Sequence, residues 1–169
     1  MIEGKKVMLR RAEAKDWPVL WLILQQQGVL ENIVPNPHEV TQENLLAALG
    51  IAGDTTAKVF AIMAAERVAG LEILGGGDPV HRSALIPCVA IDRGLKGEGF
   101  GVDATQALVR YAFRWLGLHR VAYTSIMPLK QAMARAEKLE AAYEGTSRGA
   151  FLGNDRWIDL HRFAFVRED

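Results

Sequence analysis

Three glycines on alternate positions, Gly97, Gly99 and Gly101 in the run Lys-Gly-Glu-Gly-Phe-Gly, stand directly before an amphipathic stretch of helical period. Glycine lets the backbone approach a ligand closely and take dihedral angles that other residues resist. At a helix start the first N–H groups have no partner inside the helix and carry the positive end of its dipole. A bare loop running into a helix N-terminus therefore suits an anion, phosphate or pyrophosphate above all. Lys96 and Arg93 add positive charge beside it. A tight strand-to-helix turn would ask for the same glycines on geometry alone, and spacing does not separate the two readings. Two familiar phosphate motifs are excluded. The dinucleotide fingerprint needs a third glycine where Val102 or Ala104 stands, and the G-K-[ST] of a P-loop is missing.

The elements that must hold this loop are legible in period and punctuation. A short β-compatible run over 5–13 precedes a helix over 16–28, with Asp16 expected as its cap, Pro18 in its first turn and Gly28 at its exit. Its inner stripe is Trp17, Leu20, Trp21 and Leu24. Thr41 is expected to cap a second helix ending at Gly50. Runs at 58–65 and 67–74 read as a hairpin through Glu66, and 75–79 reads as a turn. The next strand, 83–91, contains Pro87, which signals an edge or a bulge.

From Gly99 the period is helical, with Val102, Val109, Ala112, Phe113 and Leu116 on one face and Asp103, Gln106, Arg110 and Arg114 on the other. A β-type segment at 119–125 follows the stop at Gly117. Then comes a helix with Leu129, Met133, Ala136 and Leu139 inward and Lys130, Arg135 and Lys138 outward. A terminal hairpin closes the chain, turning at 153–156. The order is strand, two helices, three strands, helix, strand, helix, two strands. Helices on the faces of a mixed sheet pack this order naturally.

The global numbers agree with a single domain over 1–169. Of 169 residues 50% are hydrophobic and 24% charged, with 20 Lys and Arg balancing 20 Asp and Glu. Such a balance advertises neither a nucleic-acid nor a membrane partner. One cysteine, Cys88, excludes an internal disulfide and fits a reducing compartment. With no apolar run of membrane length and no signal-like start, the expectation is a cytoplasmic protein. The four histidines lack the spacing of metal ligands, so no metal is expected.

The segment 90–121, AIDRGLKGEGFGVDATQALVRYAFRWLGLHRV, resembles the coenzyme A-binding segment of the GNAT superfamily of N-acyltransferases. It is most similar to the branch holding the ribosomal-protein N-terminal acetyltransferases. The family pattern Arg/Gln-x-x-Gly-x-Gly/Ala falls on Lys96 to Gly101, with lysine in the Arg/Gln place. The opening strand and helix and the closing segments resemble that branch too, whereas about 25–56 matches only in helical character.

The resemblance implies a mixed, mostly antiparallel seven-stranded sheet, α/β (α+β) in class. Its fourth and fifth strands splay apart and about four helices lie on its faces. It implies an N-acetyltransferase using acetyl-CoA as cosubstrate and an amine as acceptor, with a homodimer compatible. Gly97, Gly99, Phe100, Gly101 and Val102 would offer backbone amides to the pyrophosphate, with Lys96 beside them. Val89 and Ile91 would meet the pantetheine arm and thioester carbonyl through their main chain, which can stabilise the charge developing during attack.

The departures matter as much. The Asn-x-x-Ser of this branch falls on Leu129 and Ala132, and its Gly-Phe on Glu140 and Ala141. Glu72 is then a candidate to serve as base or to orient a water, against the plainer reading of an exposed strand carboxylate. Ser125 and Tyr143 are candidates to protonate the thiolate. The alternative function is a non-catalytic coenzyme A-binding module that has lost the usual Asn and Ser.

Overall fold

A computed structural model describes residues 1–168. One sheet of eight strands runs in the order β1-β2-β3-β4-β5-β6-β8-β7. The strands are β1 (Ile2–Glu3), β2 (Met8–Arg11), β3 (Lys58–Ala64), β4 (Arg67–Asp78), β5 (Ser83–Ile91), β6 (Arg120–Ser125), β7 (Ala142–Gly153) and β8 (Arg156–Val166). Neighbours are antiparallel except β5 and β6. The helices are α1 (Trp17–Leu24), α2 (Leu45–Ala48), α3 (Phe100–Arg114) and α4 (Leu129–Leu139). The eighth strand, beyond the expected seven, is β1, two residues that pair with Leu9 and Met8.

Two apolar clusters flank the sheet. One gathers Leu108, Ala112, Ala136 and Leu139 of α3 and α4 over Phe60, Ile62, Val121 and Phe163. The other sets Leu20, Ile23 and Leu24 of α1 on Leu71, Ile73, Cys88 and Ala90. Alternation along β5 changes phase at Pro87: Ala84 and Ile86 face α3 and α4 before it, and Val89 and Ile91 do so after it. The register to β4 shifts there too, from Cys88↔Ile73 to Leu85↔Gly75. The expected bulge is present, because proline has no N–H for the ladder.

β5 and β6 pair only at Ser83–Leu85 and Arg120–Ala122. Beyond Leu85 and Ala122 the strands part, which is the expected splay. In the present strand numbers it lies between β5 and β6.

Several local expectations are corrected. Residues 75–78 continue β4, and the chain turns at 79–82 instead. Asp16 makes no cap bond to α1; its buried carboxylate pairs with Arg10 at 2.6 and 2.7 Å and accepts from Glu13 N at 2.7 Å, closing the 3-10 turn at Ala14–Asp16. α2 is one short turn from Leu45, and Thr41 and Asn44 bond each other ahead of it. On α4, Leu129 and Met133 are 43% and 42% exposed, so Ala132 takes the inward place. The expected polar face of α3 is also revised. Asp103 is buried, and the half-buried Gln106 donates to the Lys138 carbonyl at 2.9 Å.

Candidate active site

The glycine loop leaves β5 through a 3-10 turn at Arg93–Leu95, closed by the Asp92 carboxylate accepting from Gly94 N at 2.8 Å. Gly97 and Gly99 then take φ of +93° and +81°, left-handed values that favour glycine. Gly99 is the residue before α3 and has no side chain to occupy the first amides. Gly101 faces β5 closely: a Cβ there would stand 3.4 Å from Ile91 and 3.7 Å from Val89. The helix N-terminus therefore lies open toward the strand edge that the splay leaves unpaired.

Between these parts runs a cleft of about 1130 Å³. Lys96, Gly97, Gly99, Phe100, Gly101 and Val102 line it, as do Val89 and Ile91. The structure thus brings every residue expected at the cofactor together along one wall. Opposite stand Tyr123, Thr124 and Ser125 of β6 and the face of α4 with Ala132, Arg135 and Lys138. Lys5, Lys6, Lys96, Arg135 and Lys138 all border the cleft, against a single carboxylate, Asp103. A chain of zero net charge has therefore gathered cations here, the arrangement a polyanionic ligand requires.

Asp103 does not cancel that field freely. Its oxygens accept the backbone N–H groups of Lys5, Lys6 and Val7 at 2.8, 2.6 and 3.0 Å. Burial opposes its charge, yet these bonds hold its pKa below the usual carboxylate value. Lys6 Nζ donates to the Glu98 carbonyl at 2.8 Å, so the turn before β2 also braces the glycine loop. Sequence reasoning missed both residues. The acidic residue in the first turn of α3 was the available signal, although its helical phase suggested solvent.

The three candidate catalytic residues separate. Ser125 borders the cleft, its Oγ accepting from Met127 N at 3.2 Å. Tyr143 stands on the edge strand β7, outside the cleft lining, its hydroxyl 2.6 Å from Thr146 Oγ1. Thr146 Oγ1 lies 2.7 Å from Nδ1 of the buried His161. Glu72 is 0% exposed, so the reading of an exposed strand carboxylate is overturned. Its carboxyl meets Thr105 of α3 at 2.8 Å, and that hydroxyl also lies 2.9 Å from the Gly101 carbonyl. Desolvation pushes Glu72 up to about 8, against the opposing effects of Thr105 and Arg135. A hydroxyl has one proton; given to Gly101, it leaves the Glu72 acid as donor to Thr105.

Among the described residues, the buried side-chain polar atoms with no partner are Glu72 Oε2 and the Tyr123 hydroxyl. Both stand on the α3 and α4 side of the sheet.

No protein-family model matches the chain, and no curated protein sequence matches it. Solved structures do. Spermidine N-acetyltransferase from Vibrio cholerae, in complex with CoA and spermine, superposes with a TM-score of 0.82 at 21% identity over 96% of both chains. RimL, a ribosomal L7/L12 α-N-protein acetyltransferase in complex with coenzyme A, gives 0.79 at 22% identity over 96% of this chain and 95% of that one. A GNAT-family acetyltransferase from Bacillus anthracis gives 0.78 at 20% identity over 99% of each. The protein has the fold of the GNAT acetyltransferases.

Proposed function

We propose that the protein is an N-acetyltransferase that passes an acetyl group from acetyl-CoA to a primary amine, of a small molecule or a peptide N-terminus. The observation that carries this reading is the meeting of an open, glycine-lined helix N-terminus with the unpaired edge of β5. Pyrophosphate fits the amides of Gly97 to Val102. The pantetheine arm fits the free edge from Ile91 toward Ile86, where the main chain at Val89 and Ile91 supplies partners. Lys96 adds a point charge at the mouth. Coenzyme A bound to two proteins of the same fold is consistent with this seat.

In this reading the neutral amine attacks the thioester carbonyl directly, and proximity along the splay supplies a large share of the rate. Ser125, on the cleft wall, is the hydroxyl from the original set that lies within the lining. Tyr143 serves the Thr146–His161 network at the sheet edge. Glu72 serves as a neutral acid whose bond to Thr105 steadies the first turn of α3, rather than as the base. An amine acceptor of this kind is supported by the two named neighbours, one a spermidine N-acetyltransferase and the other a ribosomal L7/L12 α-N-protein acetyltransferase.

A second reading rests on Leu129 and Ala132. Neither offers a polar atom where the resembling branch has Asn and Ser, so a coenzyme A-binding module without turnover is the alternative. Thiol release from acetyl-CoA with polyamines and N-terminal peptides, run beside calorimetric binding, decides between them. Release with an acceptor supports the enzyme; binding without release for every amine supports the module.

A further inference from the structure

The cleft passes through the sheet. Val89, Ile91 and Ala132 on its lining belong to the apolar cluster under α3 and α4, whereas Val29, Ile33 and Cys88 belong to the one under α1. The opening that joins the two sides is the splay of β5 from β6. With the cofactor seated along the glycine loop and α4, the part left for an acceptor is the chamber on the α1 side.

Its accessible walls are Asn32 and Ile33 behind α1, Thr124 of β6, Phe151 of β7 and Leu160 of β8. Tyr123 and Phe163 face α3 and α4, so by strand alternation Thr124 and Leu160 face the other way. Phe151 pairs with Ile158, on the same face as Leu160. None of these side chains is charged. The five cations of the lining and its one carboxylate, Asp103, all stand on the turn before β2, the glycine loop, α3 or α4. Glu31, beside Asn32 in the chain, has its carboxylate turned onto Gly28 N at 2.9 Å and is absent from the lining. The charge that does share this face is positive: Arg162 stands directly opposite Thr124.

Resting on the acetyl-CoA reading above, we propose that the acceptor is a small primary amine with an apolar body and no second positive charge, an alkylamine or arylalkylamine. A second ammonium in this chamber would meet a guanidinium and no carboxylate, and an unpaired charge resists burial. The cofactor's phosphates do not offset that. From Ile91 back to Ile86, where the splay opens, is five residue steps, roughly 16 Å at the rise of a strand. Exposed charges are screened over about 10 Å at 0.1 M salt. The same surroundings favour the reacting amine in its neutral, nucleophilic form, because desolvation disfavours an ammonium. A peptide fits less well, since its amide groups would need partners that Ile33, Phe151 and Leu160 do not have.

The test sets hexylamine against hexamethylenediamine, which differ only in a second ammonium, with phenethylamine and a tripeptide of apolar first residue alongside. Two readouts are taken: kcat/KM for acetyl transfer, and calorimetric affinity of each amine for the protein–CoA complex. Hexylamine is expected to exceed the diamine at least about tenfold in both, and phenethylamine to match or exceed hexylamine. Asn32→Asp sets a carboxylate on the chamber wall and is expected to cut the hexylamine-to-diamine ratio several-fold. The binding readout needs no turnover, so it separates this assignment from the enzymatic reading. Amine binding with the expected preference but no acetylation supports the chamber and overturns the enzyme. Acetylation that favours the diamine or the tripeptide overturns the chamber and leaves the enzyme standing. Binding of none of the small amines, or a ratio that a folded Asn32→Asp leaves untouched, overturns the assignment as well. Should that variant fail to fold, the wild-type ratio alone decides.

Discussion

The backbone N–H of Lys6 donates to the Asp103 carboxylate at 2.6 Å, and Lys6 Nζ reaches the Glu98 carbonyl at 2.8 Å. The turn before β2 is thereby tied to both the first turn of α3 and the loop ahead of it. Residues nearly a hundred positions apart hold the same helix N-terminus.

Asp103→Asn keeps the shape but sets an amide against N–H donors. It is expected to lower stability on the order of 2–3 kcal/mol, the range for disturbing hydrogen bonds to a buried charge. The Asp103 pKa is lowered in the folded protein, so its contribution is present above the unfolded value of about 3.9 and lost as pH falls through the folded value. Denaturant melts at pH 7 and at decreasing acid pH check this: the gap between wild type and variant should narrow only in acid. A gap that stays constant down to the lowest pH contradicts the account.

Gly99→Val places a β-branched residue at φ +81°, where the left-handed region costs L residues roughly 1–2 kcal/mol, and near Lys6 Nζ. Calorimetry should find acetyl-CoA affinity down at least roughly tenfold, since each 1.4 kcal/mol is a factor of ten. Arg114→Ala, at the exposed far end of α3, is the control and should bind as wild type does. Gln106 is unsuited to that purpose because it bonds the end of α4.

Lys96 is exposed at the mouth of the cleft. Lys96→Ala should weaken acetyl-CoA binding modestly at low salt and less at high salt, because surface attraction is screened over about 10 Å at 0.1 M. Titrations at two ionic strengths measure it. A loss that ignores salt would assign the effect to the aliphatic stem.

The fold was legible to a large degree, and for physical reasons. Pro87 announced the bulge through its missing N–H, and Gly99 announced the helix start through its backbone freedom. The shared wall of the cleft followed because glycine loop and strand are adjacent in the chain. What escaped depended on long-range pairing. Leu129 and Met133 look inward by period, yet the inward face of α4 belongs to Ala132, Ala136 and Leu139. Asp103 reads as a surface acid until the turn at Lys5–Val7 arrives to satisfy it. Glu72 likewise looks exposed by alternation, and only the laying of α3 across β4 buries it.

Glu72 supplies a pH prediction. Its pKa rises from 4.5 to about 8 in the folded protein, chiefly through desolvation. The charged and titratable neighbours acting with it are Arg135 on α4, which favours the ion, and the Cys88 thiol on β5, itself pushed up to about 12. Against a permanently neutral Gln, the stability of wild type is fully present below about 4.5 and is lost as pH rises through about 8. Melting temperatures should show Glu72→Gln gaining on wild type between those limits. Affinity for acetyl-CoA should fall in wild type through about pH 8, as an anion forms beneath the phosphate seat, and stay flatter in the variant. Parallel profiles in the two proteins would return Glu72 to a purely structural role.

The central claim is acetyl transfer from a cofactor held in the splay of β5 and β6. Its most direct measurement is thiol release from acetyl-CoA by wild type with a panel of polyamines and N-terminal peptides, with the acetylated product identified by mass. The account predicts release that depends on one class of amine and matches its acetylation mole for mole. Tight binding of acetyl-CoA with no amine-dependent release across the panel would contradict it.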